Sequence, residues 1–317
     1  MTWYLLRRVA QSVAVVVGVM ILTFILVHMI PGSAARAALG PRATATRIAI
    51  FNATYGLNES LPAQFGNYVS GVLHGNLGIS YTYQEPVRTL IGQALPKDCL
   101  LLGLSTVLAL AIGLPMGMYQ AVKRARPADH LLTGTAFTLY SMPDFLLGLL
   151  LVALFSVQLH WLPPEVPQVT TVAALLADPQ ALVLPVVTLA LVSVATFSRY
   201  MRSATIETLA QDYLRTARAK GLPQRLVLVR HALRNSVLPV VTILGLSLPG
   251  IVAGAVIAED IFNYPGMGLL FYKAATSHDF PIMLGSTLVV GVATVVGNLA
   301  ADIAYAVLDP RIRYVAR

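Results

Sequence analysis

The chain has 317 residues, of which 56% are hydrophobic and only 11% are charged, and its formal net charge is +8. Soluble domains carry roughly 25% charged residues, so this composition excludes an ordinary soluble protein and indicates an integral membrane protein. The positive charge follows from the usual distribution of basic residues around membrane helices, and it does not indicate nucleic-acid binding.

Six apolar blocks divide the chain, and most of them are long enough to cross a bilayer. A membrane-spanning helix needs about 20 apolar residues to cross about 30 Å of hydrocarbon. In chain order the blocks are Val9–Ile30, Cys99–Val122, Leu131–Val157, Leu182–Phe197, Val237–Ala258 and Ile282–Leu308. The sequence therefore predicts an all-α integral membrane protein with about six transmembrane helices, and the fourth, shortest block defines its helix least well.

The first block follows Arg7 and Arg8, a pattern that secretory signal peptides share. A signal peptide has an apolar region of about 7–15 residues, which is shorter than this block. We therefore expect an uncleaved anchor helix. Cys99, at the start of the second block, is the only cysteine, so an intrachain disulfide is excluded and a small packing residue is expected.

Residues 31–98 form a long, mixed segment between the first and second blocks. Two stretches in it have helical character, around Arg47–Tyr55 and at Gln64–Leu73. We therefore expect three regions: residues 1–30 as the N-terminus and first helix, 31–98 as an external segment, and 99–317 as a core of five helices.

The distribution of Lys and Arg indicates the orientation of the chain. With the N-terminus in the cytoplasm, 16 of the 22 basic residues fall on the cytoplasmic side. They are Arg7, Arg8, Lys123, Arg124, Arg126, the eight from Arg199 to Arg234, and Arg311, Arg313 and Arg317. Both termini are therefore predicted to be cytoplasmic.

A basic amphipathic stretch between the fourth and fifth blocks is the most distinctive element of the chain. Its apolar residues recur at the period of one helix face: Ile206, Leu209, Ala210, Tyr213, Leu214 and Ala217. Gly221 then supplies a left-handed C-cap, and Pro223 prevents simple continuation of the helix. We predict a short helix that ends at a fixed place outside the bilayer, and such an element suits docking of another protein.

Patterns of enzyme chemistry are absent from the sequence. It contains no GxxxxGK[ST] phosphate loop and no HExxH motif, and Gly245–Pro249 lacks the second glycine of a nucleophile elbow. The six histidines are scattered, which favours structural or interfacial roles over metal ligation. We therefore expect a chain without enzymatic activity, metal or cofactor of its own.

Five blocks of the sequence resemble, in order and spacing, the permease subunits of bacterial ABC importers, and most closely the dipeptide/oligopeptide permease family. They are Gly71–Gly78 with Pro86-Val87, Pro143–Gly148, Arg215–Leu222 with His231–Asn235 and Leu238-Pro239, Glu259–Gly268, and Asp302–Arg313. The resemblance covers nearly the whole chain. It implies a type I ABC-importer permease in a bacterial cytoplasmic (inner) membrane.

The resemblance also implies partner proteins and a division of labour. Two permease chains, usually different ones, form the pathway, two separate ATPase subunits hold ATP and Mg, and an external binding protein delivers peptide. In the coupling segment (residues 203–236), the residues that would engage an ATPase are Arg215, Thr216, Ala217, Arg218, Ala219, Lys220, Gly221 and Leu222. Closure of the ATPases around ATP would move this short helix as a rigid lever.

Asp144, near the middle of the third block, is a candidate pathway residue. An unpaired carboxylate in a membrane costs roughly 2.5–3.5 kcal/mol, so it should face protein or water. Two roles stay open. It is either an acid that attracts a peptide amino group, or a structural group that is hydrogen-bonded or placed in polar surroundings by a helix break at Pro143.

The connection between the fifth and sixth blocks holds a second candidate region. It gains two acids and then breaks at a Pro-Gly pair, which indicates a surface or re-entrant element. Glu259, Asp260, Pro265 and Gly266 are candidates for an external gate or a contact with the binding protein, and ordinary solvation of the two acids at a surface is the alternative.

The same residues allow alternative roles and functions. Arg215, Arg218 and Lys220 either pair with acids of an ATPase or contact lipid headgroups. The same machinery could carry another cargo, such as a nickel chelate, glutathione or an oligosaccharide. A secondary transporter is a third hypothesis, but it predicts charged residues concentrated within the spans and no docking segment.

Overall fold

The computed structural model describes the backbone of residues 2–308, and their side chains except at 2–6, 9, 246–249, 251–253 and 300–308. The described residues form helices joined by loops, with one isolated bridge between Ile79 and Pro86 and no strand. The all-α prediction is therefore confirmed. Arg311, Arg313 and Arg317, which the sequence assigns to the cytoplasm, lie outside the described residues, as does the end of the last resemblance block.

The helices are named in chain order. They are α1 (Thr2–Met29), α2 (Ala34–Leu39), α3 (Ala45–Thr54), α4 (Leu61–Leu73), α5 (Val87–Val122), α6 (Pro127–Ser141), α7 (Asp144–Leu151), α8 (Val172–Leu176), α9 (Pro179–Leu209), α10 (Asp212–Ala219), α11 (Gln224–Leu226), α12 (Leu233–Ser236), α13 (Leu238–Ala253), α14 (Val256–Ile261), α15 (Met267–Thr276) and α16 (Phe280–Leu308). Two π-helical turns, Val152–Gln158 and Val227–Ala232, extend α7 and join α11 to α12.

Several helical stretches are long and apolar enough to cross a membrane. Among the described residues there are five, or six if one bent pair of helices counts as a span. The five are Ala10–Met29, Val87–Val122, Pro179–Leu209, Gln224–Gly245 and Phe280–Leu299. This agrees with the predicted number of about six.

The third apolar block is not one continuous helix, and it breaks at Pro143, where the sequence left a break open. α6 and the extended α7 meet at an angle of 103°. Between them Met142 is extended (φ −81°, ψ 129°). Pro143 explains the break, because it has no N–H for a helical hydrogen bond and disfavours helical geometry in the residue before it.

Two helices extend well beyond their apolar blocks. α9 continues past Phe197 to Leu209, and this continuation carries buried polar side chains such as Ser198 and Thr205. α5 begins at Val87, before the second block. A hydropathy pattern underestimates such helices, because it ends where polar residues enter a face that packs against protein.

The first of two compact units contains α1 to α4, the start of α5, α15 and α16. α16 packs along α1 and beside α15. The core of this unit includes Phe24, Val27, Val87, Ile91 and Ile282. α3 and α4 confirm the two helical stretches that the sequence predicted within residues 31–98.

α9 is the central helix of the second unit, where it contacts α6, α7, α8 and α12. The second half of α5 approaches α9 at two glycines. A Cβ on Gly117 would collide with the carbonyl oxygen of Ser198, and one on Gly113 would lie 3.1 Å from Cβ of Phe197. Small residues four positions apart allow two membrane helices to pack this closely.

Candidate functional site

The helix that the resemblance assigns to docking is α10, which is shorter than the sequence predicts. The pattern from Ile206 to Ala217 indicated one helix, but α9 ends at Leu209 and α10 begins at Asp212. Gln211 between them is extended (φ −73°, ψ 145°). The single-helix prediction is wrong because two helices with a similar apolar period follow each other, and periodicity alone does not detect the break.

α10 packs into a small apolar core of its own. Leu214 and Ala217, one turn apart, are buried together with Val227 and Ala232 of the following π-helical turn. Leu209, Leu222 and Leu228 pack against this cluster. The coupling segment is therefore a folded helical hairpin, and α10 is held at a fixed position on it.

Gly221 ends α10 as the sequence predicts. Its φ of +76° lies in the left-handed region, where a residue with a Cβ is strained. Its N–H donates to the carbonyl oxygen of Arg218 at 3.0 Å, and that of Lys220 donates to Thr216 at 3.1 Å. The chain then turns, and α11 begins at Gln224 directly after Pro223.

The outer face of α10 is charged and open. Arg215, Arg218 and Lys220 are all exposed, as are Thr216 and Ala219. The Arg215 side chain lies 3.5 Å from that of Asp212, and the two are 77% and 95% exposed. An ion pair this exposed is worth about 0–1 kcal/mol, so these charges remain available to a partner.

One polar contact, which the sequence did not predict, joins the two ends of the hairpin. The Asn235 amide donates a hydrogen bond of 2.6 Å to the hydroxyl of Tyr213. The pattern assigned Tyr213 to the apolar face, yet the residue is exposed. His231–Asn235 belongs to the resemblance, but no spacing rule would have paired these two side chains.

Asp144 lies at the helix break and not in the middle of a continuous span. It is the first residue of α7 and is exposed. Within the described part of the chain its carboxylate has no hydrogen-bond partner. A carboxylate in the first turn of a helix interacts favourably with the positive end of the helix dipole, so the break itself gives this acid a suitable place.

The two acids of the connection before α15 have different surroundings. Glu259 is completely buried, whereas Asp260 is exposed. Ordinary surface solvation of Glu259, which the sequence left open, is therefore wrong. The sequence does not distinguish the two acids, because they are neighbours on α14. The helix buries Glu259 in the second unit and leaves Asp260 exposed.

Pro265 and Gly266 lead into α15 in the first unit, and Gly266 is its N-cap residue. A distant carboxylate accepts the first N–H of this helix: the backbone N–H of Met267 donates to Oδ2 of the buried Asp98 at 2.9 Å. The Pro-Gly pair is thus fixed next to a capped helix.

A second buried carboxylate, Asp279, anchors residues 31–98 to the start of α16. Its Oδ2 accepts hydrogen bonds from the Ser80 hydroxyl at 2.6 Å and from the Thr82 backbone N–H at 2.9 Å. Ser80 and Asp279 are both completely buried. Burial, and then the negative charge of Asp279, raises the pKa of the neighbouring Tyr81 and Tyr83 hydroxyls.

Among the described residues, no group of three or more His, Cys, Asp or Glu side chains is arranged to hold a metal ion. The functional residues therefore form two kinds of site. One is the open charged face of α10, and the other is a set of buried carboxylates that fix loops.

Comparison with known proteins identifies the family. Residues 113–314 match the family described as binding-protein-dependent transport system inner membrane component, and residues 1–101 match the N-terminal family of the same systems. The chain is 38% identical over 316 residues to the oligopeptide transport system permease protein AppB of Bacillus subtilis, covering 99% of this chain and 100% of the relative.

Two further relatives agree. A putative peptide permease protein of Brucella ovis is 37% identical, with 98% of each chain covered. The glutathione transport system permease protein GsiC of Salmonella typhimurium is 36% identical, covering 98% of this chain and 99% of the relative. The chain therefore belongs to the inner-membrane permease family of binding-protein-dependent ABC transport systems, which work together with partner subunits.

Proposed function

We propose that this chain is the permease subunit of an ATP-driven peptide importer, in which it pairs with a second permease chain to form the pathway. Two separate ATPase subunits bind ATP and Mg, an external binding protein delivers the peptide, and both termini of this chain are cytoplasmic. The peptide cargo rests on the relatives, since two are peptide permeases by name and the third carries glutathione, itself a tripeptide.

The observation that carries the proposal is the folded state of the coupling segment. Arg215 and Arg218 of α10 and its C-cap residue Lys220 are exposed, while Leu214 and Ala217 are buried in a small core. A rigid, capped helix transmits a displacement, whereas a flexible loop would absorb it. Arg215 to Leu222 are therefore the residues proposed to dock on the ATPase.

Gly221→Val tests this coupling. At φ +76° a β-branched residue costs roughly 1–2 kcal/mol of backbone strain, although nothing lies within 4 Å of the position a Cβ would take. The variant therefore alters the end of α10 and not its packing. We expect the purified complex to contain its ATPases and to hydrolyse ATP, while peptide uptake into vesicles falls about tenfold.

Gly221→Asn is the matched control, because asparagine adopts left-handed geometry more readily than other residues with a Cβ. Its uptake should stay close to that of the wild type. Normal uptake by Gly221→Val would contradict the coupling role. Purification of the chain without ATPases, with uptake that does not need ATP, would favour a secondary transporter.

A further inference from the structure

An ion pair joins α6 to α9 at the place where the coupling segment begins. Arg202 lies in α9 directly before residues 203–236, and Asp129 lies in the first turn of α6. Nε and Nη2 of Arg202 donate to the two different carboxylate oxygens of Asp129, each at 2.8 Å. Two parallel hydrogen bonds of this kind fix the relative direction of the side chains as well as their distance.

The Asp129 carboxylate is buried, and both of its oxygens accept further hydrogen bonds. Only 2% of the residue is exposed. Oδ2 also accepts the backbone N–H of Ala125 at 3.0 Å, and Oδ1 accepts the Thr133 hydroxyl at 3.3 Å. Ala125 lies in the turn between α5 and α6 and has a φ of +61°, a geometry that is unfavourable for a residue with a Cβ. One carboxylate therefore holds this turn and binds α9.

α5 and α6 are attached to α9 in different ways. α5 packs closely on α9 through Gly113 and Gly117. α6 also contacts α9, but a cavity of about 280 Å³ lies between these two helices and the end of α5. Its lining consists of Gln120 from α5, of Thr133, Ala136, Phe137 and Tyr140 from α6, and of Ala195, Ser198, Arg199, Arg202 and Ser203 from α9. This space allows α6 and α9 to shift against each other unless side chains prevent it.

Two side-chain contacts join α6 and α9 across this cavity. The first is the ion pair of Arg202 with Asp129. The second is a ring contact, in which the guanidinium carbon of Arg199 lies 5.0 Å from the ring centre of Tyr140. A cation can slide over a ring face at little cost, whereas a bidentate pair requires one geometry. The ion pair is therefore the contact that sets the position of α6 relative to α9.

The ion pair is close to the segment proposed to dock on the ATPase. α9 is continuous up to Leu209, so Arg202 lies about two turns before its end. α12 and the π-helical turn of the coupling segment also contact α9. A displacement of the coupling segment therefore reaches Arg202 through a rigid helix. α6 then leads from the turn at Ala125 to the helix break at Pro143.

We propose that Asp129 and Arg202 are positioning residues of the transport cycle, which make α6 follow the movement of the coupling segment. This inference rests on the proposed coupling of ATP hydrolysis to transport. The two residues act through the helices and need no contact with the cargo. Without the ion pair, the cavity between α6 and α9 takes up part of the displacement, and ATP is hydrolysed with less transport.

A distance measurement between α6 and the end of α9 tests the joint movement. Spin labels are attached to Gly134→Cys, where a Cβ meets nothing within 4 Å, and to Glu207→Cys, an exposed position. Cys99→Ser removes the only native cysteine. With the ion pair intact, we expect the assembled complex to show the same label distance without nucleotide and with a non-hydrolysable ATP analogue. With Asp129→Asn, the analogue should shift or broaden it.

Asp129→Asn suits this test because it breaks the ion pair and preserves the turn. Its amide oxygen can still accept from Ala125, whereas its amide nitrogen would face Nε of Arg202, which is also a donor. Arg202→Lys retains the charge without the planar fork, and its effect should be smaller. Arg124→Gln, which removes an exposed charge of the same turn, is the control and should behave like the wild type.

A second readout is the number of trialanine molecules imported per ATP hydrolysed by the complete system in vesicles. Asp129→Asn should lower this ratio a fewfold while ATP hydrolysis continues, and Arg202→Lys should lower it less. A role in folding alone predicts a lower unfolding midpoint and less assembled complex, with an unchanged ratio in the complex that does assemble. That result would overturn the proposal.

The label distance also decides the proposal without any variant of the ion pair. If it changes by more than about 2 Å on nucleotide binding with the pair intact, as in helix shifts at interfaces, α6 does not follow α9 and the positioning role is wrong. The proposed function fails separately. A wild-type complex that hydrolyses ATP but imports no trialanine would contradict the peptide cargo, while the label distance would still decide the role of the ion pair.

Discussion

The coupling segment and the junction formed by Ser80, Thr82 and Asp279 are built on opposite principles. In the coupling segment the buried side chains around α10 are apolar and the charged ones are exposed. At the junction a completely buried carboxylate accepts hydrogen bonds from a side chain and from the backbone. The charged side chains of α10 are therefore available to bind a partner, whereas the carboxylate of Asp279 stabilises the fold.

This difference shows why the charge of a residue does not reveal its role. Replacing an exposed charge of α10 leaves no buried group unsatisfied, so only binding to a partner should change. Replacing Asp279 leaves the buried Ser80 hydroxyl and the half-buried Thr82 N–H without their acceptor, which costs free energy even when no partner is present. Substitutions of charged residues in the two regions should accordingly differ in their effect on stability and not only on transport.

Leu214→Ala should have the largest effect on stability. Leu214 is completely buried in the core of the coupling segment, and removing a buried leucine typically costs about 2–5 kcal/mol. We expect faster trypsin cleavage within residues 203–236 of the solubilised complex. Leu226→Ala, at a leucine that is 36% exposed, is the control, and equal cleavage of both variants would mean that the small core does not hold α10.

Asp279→Ala should have the next largest effect. The Ser80 hydroxyl and the Thr82 N–H would lose their acceptor inside the first unit, at a cost of about 1–3 kcal/mol. The expected result is a lower midpoint of thermal unfolding for the solubilised complex. Asp279→Asn should lose less, because its amide oxygen can still accept both hydrogen bonds.

Glu85→Ala, at an exposed acid of the same segment, controls for the loss of a charge alone. If it lowers the unfolding midpoint as much as Asp279→Ala does, the buried carboxylate does not stabilise the junction specifically. The proposed difference between the two regions would then be wrong.

The sequence predicted the all-α fold, the number of spans and the end of α10, because each depends on local features. Runs of apolar residues mark spans, and Gly221 marks a helix end through its φ of +76°. Helix breaks were predicted less well. Pro143 was recognised as a candidate break, whereas the extended Gln211 carries no such signal.

Long-range pairs lay beyond the sequence altogether. Asp98 caps α15 from a distant helix, and Asp279 binds residues almost 200 positions earlier in the chain. Asn235 donates to the Tyr213 hydroxyl across 22 positions of the coupling segment. In each case the role is decided by which neighbours the fold supplies, and a single sequence does not record those neighbours.

Asp144→Asn should have the smallest effect on stability. It adds a third kind of charged residue to the comparison between the coupling segment and the junction. Asp144 is an acid that is neither buried like Asp279 nor part of a charged helix face, since it is exposed at the start of α7. Surface substitutions usually change stability by less than about 0.5 kcal/mol, so assembly and thermal unfolding should match the wild type.

If Asp144 attracts the amino group of a peptide, uptake should fall a fewfold in Asp144→Asn, since an exposed charge pair contributes about 0.2–1 kcal/mol. The loss should be absent for a peptide with an acetylated N-terminus, which carries no ammonium group. Unchanged uptake of the free peptide would assign Asp144 only to the helix break after Pro143. A carboxylate exposed in a membrane protein would then be explained by backbone geometry, without a ligand.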